Sequence, residues 1–180
     1  TASFTVTVTD DEDPAISGTP ADITQTNDAG NCSAEVAWTE PTAADNCAIA
    51  TFTSSHSPGA TFSVGATTVT YTATDIHGNS SSASFTVTVT DDEAPAIAGM
   101  PADMTLSNDA GDCSAIASWT APTSSDNCGV TSFTSTHDSG DSFAVGSTTV
   151  TYTAMDAAGN TTTASFTVTV TDDEDPAISG

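Results

Sequence analysis

The residues of this chain that could do chemistry are oxygen donors. Asp11, Glu12, Asp45 and Asp75 are joined by the side-chain amides of Asn46 and Asn79. The same types recur 81 positions later as Asp92, Glu93, Asp126 and Asp156 with Asn127 and Asn160. A hard divalent cation such as Ca2+ takes six to eight oxygens from carboxylates, amides and backbone carbonyls, and these sets supply them. Composition presses the same way. The 180 residues carry 24 Asp and Glu and no Lys or Arg, a formal charge of −24. Repulsion on that scale opposes a compact state, and no salt bridge to Lys or Arg can relieve it. The sign of the charge excludes nucleic acid as a partner. The bland alternative is a solvated acidic linker, with Asp75 and Asn79 shaping a turn. The closing acids, residues 172–175, would face a following domain.

The other reactive side chains are sparse. Cys32, Cys47, Cys113 and Cys128 form two pairs at one spacing, which fits a disulfide in an oxidising compartment. Cys32–Cys47 and Cys113–Cys128 are the natural pairs, and free or intermolecular thiols are the alternative. A straight strand between the partners would set them ~20 Å apart at ~3.3 Å per residue, whereas a bridge needs Cα atoms within about 7 Å. Pairing therefore requires the segment before Cys47 to fold back. Two cysteines without matching histidines cannot fill a tetrahedral zinc site. His56 and His137 lie in Ser-rich turns, and His77 has no counterpart, because Ala158 stands there. No nucleophile, base and orienting group converge, so an enzyme is not expected. Trp38 and Trp119 repeat with the core pattern and read as buried rings rather than a sugar platform. Three N-x-[ST] sequons, at Asn31, Asn79 and Asn160, and the outward threonines (Thr5, Thr7, Thr9, Thr68, Thr70, Thr72) are candidate glycosylation sites.

What must position these groups is a set of short strands. "SFTVTVT" alternates Phe4, Val6 and Val8 with threonine, and "TTVTYTATD" alternates Val69, Tyr71 and Ala73, the period-2 pattern of strands with one wet face. "ITQT", "AEVAW", "ATFTSS" and "ATFSVG" supply shorter strands between turn signals such as "NDAGN", "SPGA" and "HGNS". Self-similarity sets the domain count. Phe4, Phe85 and Phe166 are 81 residues apart, and residues 1–18 equal residues 163–180 letter for letter. The boundaries that follow are 1–11 as the last strand of a preceding repeat, 12–92 and 93–173 as complete repeats, and 174–180 as the start of another. About 80 residues suffice for a small independent core. Some seven short strands per repeat predict an all-β, immunoglobulin-like sandwich. In that topology the segments 41–47 and 75–79 share one end with the incoming linker, residues 10–13. There is no apolar run long enough to enter a membrane.

These residues also carry a resemblance. "VAWTEPTAADNC", "SPGATFSVGATTVTYTATDIHGN" and "SFTVTVTDDEDP" resemble the hyalin repeat, or HYR domain, over nearly all of both repeats. The resemblance implies tandem immunoglobulin-like domains of extracellular adhesion proteins, in an elongated array and without catalysis. The chain departs from it at Thr19, Ala83, Met100 and Ala164, where many hyalin repeats carry cysteine. The acidic layout is also similar to cadherin-type arrays, in which linker and loop acids share calcium. The expectation is an extracellular, cell-surface and bacterial stalk or filament segment stiffened by calcium, whose partners are neighbouring repeats and like filaments. A carbohydrate- or ligand-binding module of a secreted protein is the alternative.

Overall fold

The computed structural model describes residues 1–176 and divides into two units, Thr1–Asp91 and Asp92–Gly180. Among the described residues every regular element is a strand. In the first unit these are β1 (Ala15–Ser17), β2 (Ile23–Thr26), β3 (Ser33–Val36), β4 (Thr42–Ala44), β5 (Ile49–Ser54), β6 (Ala60–Ser63), β7 (Gly65–Asp75) and β8 (Ser80–Thr90). The second unit repeats them as β9 (Ala96–Ala98), β10 (Met104–Ser107), β11 (Ser114–Ile116), β12 (Thr123–Ser125), β13 (Val130–Ser135), β14 (Ser142–Ala144), β15 (Gly146–Asp156) and β16 (Thr161–Thr171).

One sheet of the first unit has the order β2-β8-β7-β5. β7 and β8 form a long antiparallel hairpin from Gly65 opposite Val89 to Thr74 opposite Ser80, and β2 runs parallel to the end of β8. The pairs β3-β6 and β1-β4 stand apart from that sheet. Alternation then builds the core. Val69, Tyr71, Phe85, Val87 and Val89 point inward from the hairpin and meet Ala34, Val36 and Phe62 from β3 and β6. The second unit repeats this with Val150, Tyr152, Phe166, Val168 and Val170 against Ala115, Ala117 and Phe143. Eight strands appear where about seven were expected. The first is broken between Ser17 and Ile23, so that β1 pairs with β4 while β2 pairs with β8.

The tryptophans complete the cores as the spacing implied. Trp38 donates its indole N–H to the Tyr71 hydroxyl at 2.8 Å and meets Phe62 and Phe85 edge-on. Trp119 does the same with Tyr152, Phe143 and Phe166.

Residues 1–14 form no strand. Their "SFTVTVT" is identical to the β16 segment, yet Phe4 and Val8 are each 90% exposed whereas Phe166 is 3% exposed. The strand expected at 1–11 pairs with no other strand among the described residues, and alternation without partners does not make a strand. Of the segment expected to open another repeat, residues 177–180 lie outside the described residues.

Candidate metal centre at the incoming end of the repeat

Three segments converge where the chain enters the first unit. Oxygens of Asp10, Asp45 and Asp75 all lie within 4.8 Å of one another. Each is placed by a local device that its sequence dictates. Asp75 ends β7 and starts the turn "DIHGN". Its Oδ1 accepts the backbone N–H groups of His77 (2.8 Å), Gly78 (2.6 Å) and Asn79 (2.9 Å), and its Oδ2 accepts the Asn79 side-chain amide at 2.7 Å. Gly78 has φ of 98°, a left-handed conformation that glycine adopts without steric cost. Asp45 caps the "DNC" turn through Oδ2, which accepts the Cys47 N–H at 2.8 Å. Its Oδ1 is buried and meets no hydrogen-bond donor. Asp10 arrives on the linker. The Asn79 amide donates to the Asp10 carbonyl at 3.2 Å, and the His77 ring lies 3.2 Å from its carboxylate.

The electrostatics follow from these contacts. Burial pushes Asp75 up, but the Asn79 amide and the three backbone N–H groups outweigh it and hold its carboxyl below the usual 3.8. The Cys47 thiol, then the Glu12 N–H, hold Asp10 below the same value. In return the hydrogen bond to Asp10, with burial and the neighbouring acids, raises Cys47 above its ordinary 9.0.

The second unit rebuilds the centre. Asp126 Oδ1 accepts the Cys128 and Gly129 N–H groups at 2.8 and 3.0 Å, and Asp156 accepts the Asn160 N–H at 2.9 Å and its side-chain amide at 2.8 Å. Oxygens of Asp126 and Asp156 lie within 4.8 Å of each other. Burial pushes Asp156 up, and the Asn160 amide and the turn N–H groups again prevail and lower it.

Asp45 and Asp75 therefore meet as the topology required, with Asn79 bonded to Asp75. Glu12 stands at the edge, accepting from the Asn46 amide at 3.1 Å. Asp11 is exposed and outside the cluster, and Asp10 takes the place foreseen for it. The signal is in the alternation: Phe4, Val6, Val8 and Asp10 share one phase, as do the inward-facing Phe85, Val87 and Val89 with Asp91. By the same register Asp91, rather than Asp92 or Glu93, corresponds to Asp10. Asn127 places its amide 3.8 Å from the Cys128 sulfur.

The cysteines depart from the pairing expected within a repeat. Cys47 and Cys113 are exposed free thiols, while Cys32 and Cys128 are disulfide-bonded, so neither Cys32–Cys47 nor Cys113–Cys128 is formed. The reason is distance. The turn before Cys32 is tied to Thr90 at the end of β8, where the Asn27 N–H donates to the Thr90 carbonyl. Cys47 lies beside Asp10, whose carbonyl is held by Asn79 just before β8 begins. Eleven strand residues separate the two ends, some ~33 Å at ~3.3 Å per residue.

The fold and the acid-lined end define the class: tandem immunoglobulin-like β-sandwich repeats with a carboxylate cluster at the incoming end. The HYR domain model matches residues 9–89 and 90–170, and the chain belongs to the HYR-domain family. It is 41% identical over 172 residues to "Hyalin" of Lytechinus variegatus, covering 93% of this chain and 32% of that protein. "Hyalin" of Strongylocentrotus purpuratus is 38% identical, with 93% and 14% covered. The "Sushi, von Willebrand factor type A, EGF and pentraxin domain-containing protein 1" of Rattus norvegicus is 38% identical over 161 residues, with 86% and 4% covered. The chain thus spans a third or less of these relatives. They are animal proteins, and none supports the bacterial source expected from the sequence. Among solved structures, "Protocadherin gammaB7 EC3-6 cis-dimer structure" aligns at a TM-score of 0.41 and 18% identity over 89% of this chain and 51% of that one.

Proposed function

We propose that this chain is part of an extracellular adhesion stalk or filament whose junctions are set by calcium. One observation carries the reading: three carboxylates gather within 4.8 Å, one with a buried oxygen that meets no donor, in a chain without Lys or Arg. Like charges so close disfavour one another, and a divalent cation reverses the sign of that interaction. The donors present suit calcium, being carboxylate oxygens with amides and carbonyls at hand. Cys47 and His77 also reach Asp10, but in the second repeat Ala158 replaces the histidine and Cys128, the counterpart of Cys47, is disulfide-bonded, so the donors free in both are oxygens. Asp10, Asp45 and Asp75 would hold the ion, with Glu12 and Asn79 next to them; Asp126 and Asp156 are their counterparts. Bound there, the ion ties the linker to two loops of one domain and restricts the hinge. The indoles' engagement in the cores gives no support to a carbohydrate-binding module.

The test is small-angle scattering and thermal melting of the chain in calcium and in chelator. Calcium should stiffen the particle and raise its melting temperature. The Asp45→Asn variant keeps an acceptor for the Cys47 N–H, so it should fold. It should be at least as stable as the parent in chelator, having shed a like charge, and it should lose much of the response to calcium. No response of the parent at millimolar calcium would sink the proposal.

A further inference from the structure

The incoming end of the first unit carries a second set of donors, softer than the carboxylates. The Asp10 carboxylate, the Cys47 sulfur and a His77 ring nitrogen all lie within 4.8 Å of one another. All three residues belong to the one unit. The Asp10 side chain is 7% exposed and the His77 side chain 47%, so a buried carboxylate faces a ring that is open to solvent. Cys47 is a free thiol, and its sulfur hydrogen-bonds the Asp10 carboxylate. Each donor also rides on backbone that is already pinned. The Cys47 N–H donates to Asp45 at 2.8 Å, the His77 N–H donates to Asp75 at 2.8 Å, and the Asp10 carbonyl accepts the Asn79 amide at 3.2 Å.

We propose that Asp10, Cys47 and His77 form a zinc site, present in the first repeat and absent from the second. Thiolate, imidazole and carboxylate are the donors zinc accepts, and three protein ligands leave a fourth, tetrahedral place for water. Calcium takes oxygens and would leave the sulfur and the imidazole unused. The distances agree. Bonds of ~2.0 Å to nitrogen and oxygen put those two atoms ~3.3 Å apart on a tetrahedral edge, and His77 Nδ1 lies 3.2 Å from Asp10 Oδ2. The longer zinc–sulfur bond, ~2.3 Å, asks for ~3.5 Å from sulfur to either atom, within the span of the set. On binding, the thiol proton passes to solvent. Thiolate and carboxylate then offset the two charges of the ion, while the imidazole stays neutral. A cysteine pair within one repeat lacks the histidines for zinc, but this set needs only one residue of each kind. In the second unit Ala158 stands in place of His77 and Cys128 is disulfide-bonded, so the set is not repeated there. The site shares Asp10 with the calcium centre but does not rest on that reading, because neither Asp45 nor Asp75 is a ligand.

The test titrates cobalt(II), a spectroscopic stand-in for zinc, into the whole chain in calcium-free buffer, and then displaces it with zinc. One equivalent should give the near-ultraviolet absorption of a cobalt–thiolate bond and the visible bands of a tetrahedral ion, and zinc should abolish both. Cys47→Ser should lose the thiolate absorption, and Cys113→Ser, which removes the other free thiol, should keep it. His77→Ala copies the residue of the second repeat, so it should fold. It should weaken zinc by more than the roughly 10–100-fold that loss of an outer-shell partner costs. Asp45→Asn should keep cobalt binding while losing the calcium response, and Cys47→Ser should do the reverse. That pair separates failure of this site from failure of the calcium centre. Cobalt bound without a thiolate band, a band that survives in Cys47→Ser, or zinc affinity unchanged in His77→Ala would overturn the proposal.

Discussion

Asp75 is the residue on which the incoming end turns. It is 2% exposed and carries its charge on four hydrogen bonds, three of them from its own turn's backbone. Because its folded value lies below the usual 3.8, its contribution to stability is fully present above 3.8. It is lost as pH falls through the lower folded value. In chelator, this contribution should therefore be level above about pH 5 and be lost steeply in acid, against the relief of carboxylate repulsion that protonation brings. Asp75→Asn puts an amide N–H against the Asn79 amide and removes that charge. It should melt several degrees lower near neutral pH and show a shallower acid limb, which melting curves recorded from about pH 2 to 7 would check. The turn itself is legible in the sequence, since D-x-x-G-N after an alternating run is a strand stop with a left-handed glycine. Asp10 does not stand out among four consecutive acids, because identity alone does not separate them; only the phase of the preceding strand does.

At the scale of the element, one peptide has different fates. Thr-Val-Thr occurs at residues 5–7, 86–88 and 167–169. Val87 and Val168 are fully buried and Val6 is 73% exposed. Truncating a buried valine removes apolar contacts and leaves a small cavity, so Val87→Ala and Val168→Ala should each cost about 2 kcal/mol. Val6→Ala should change stability by less than about 0.5 kcal/mol in this chain. Urea unfolding followed by tryptophan emission would measure all three, as Trp38 and Trp119 report on the two cores. Equal effects at the three sites would mean that residues 3–9 are paired after all. The strands, their phase and the core residues can thus be read from period-2 alternation. The split of the first strand cannot, because which neighbour a three-residue strand joins is decided by β4 and β8, both distant in sequence. The cysteine pairing is hidden for a related reason: equal spacing identifies equivalent residues, and says nothing of whether a strand's length lies between them.

Across the whole molecule the governing quantity is the charge of −24. In most proteins added salt screens attractive and repulsive pairs together, with offsetting effects on stability. Here attraction is confined to groups such as His77 beside Asp10, the terminus, and hydrogen bonds, so screening acts almost wholly on repulsion. Raising sodium chloride from about 0.01 to 1 M shortens the screening length from about 30 to 3 Å. In chelator the melting temperature should climb steadily over that range. Clustered carboxylates held a few ångströms apart are screened least, because the separation within the cluster is close to the shortest of those lengths. Calcium at millimolar concentration should therefore stabilise more than sodium chloride of equal ionic strength, and the excess should shrink in Asp45→Asn. Melting curves at matched ionic strength make the comparison. Identical curves in the two salts would assign the acids to solubility alone, and a calcium excess that Asp45→Asn leaves intact would move the ion to another set of carboxylates.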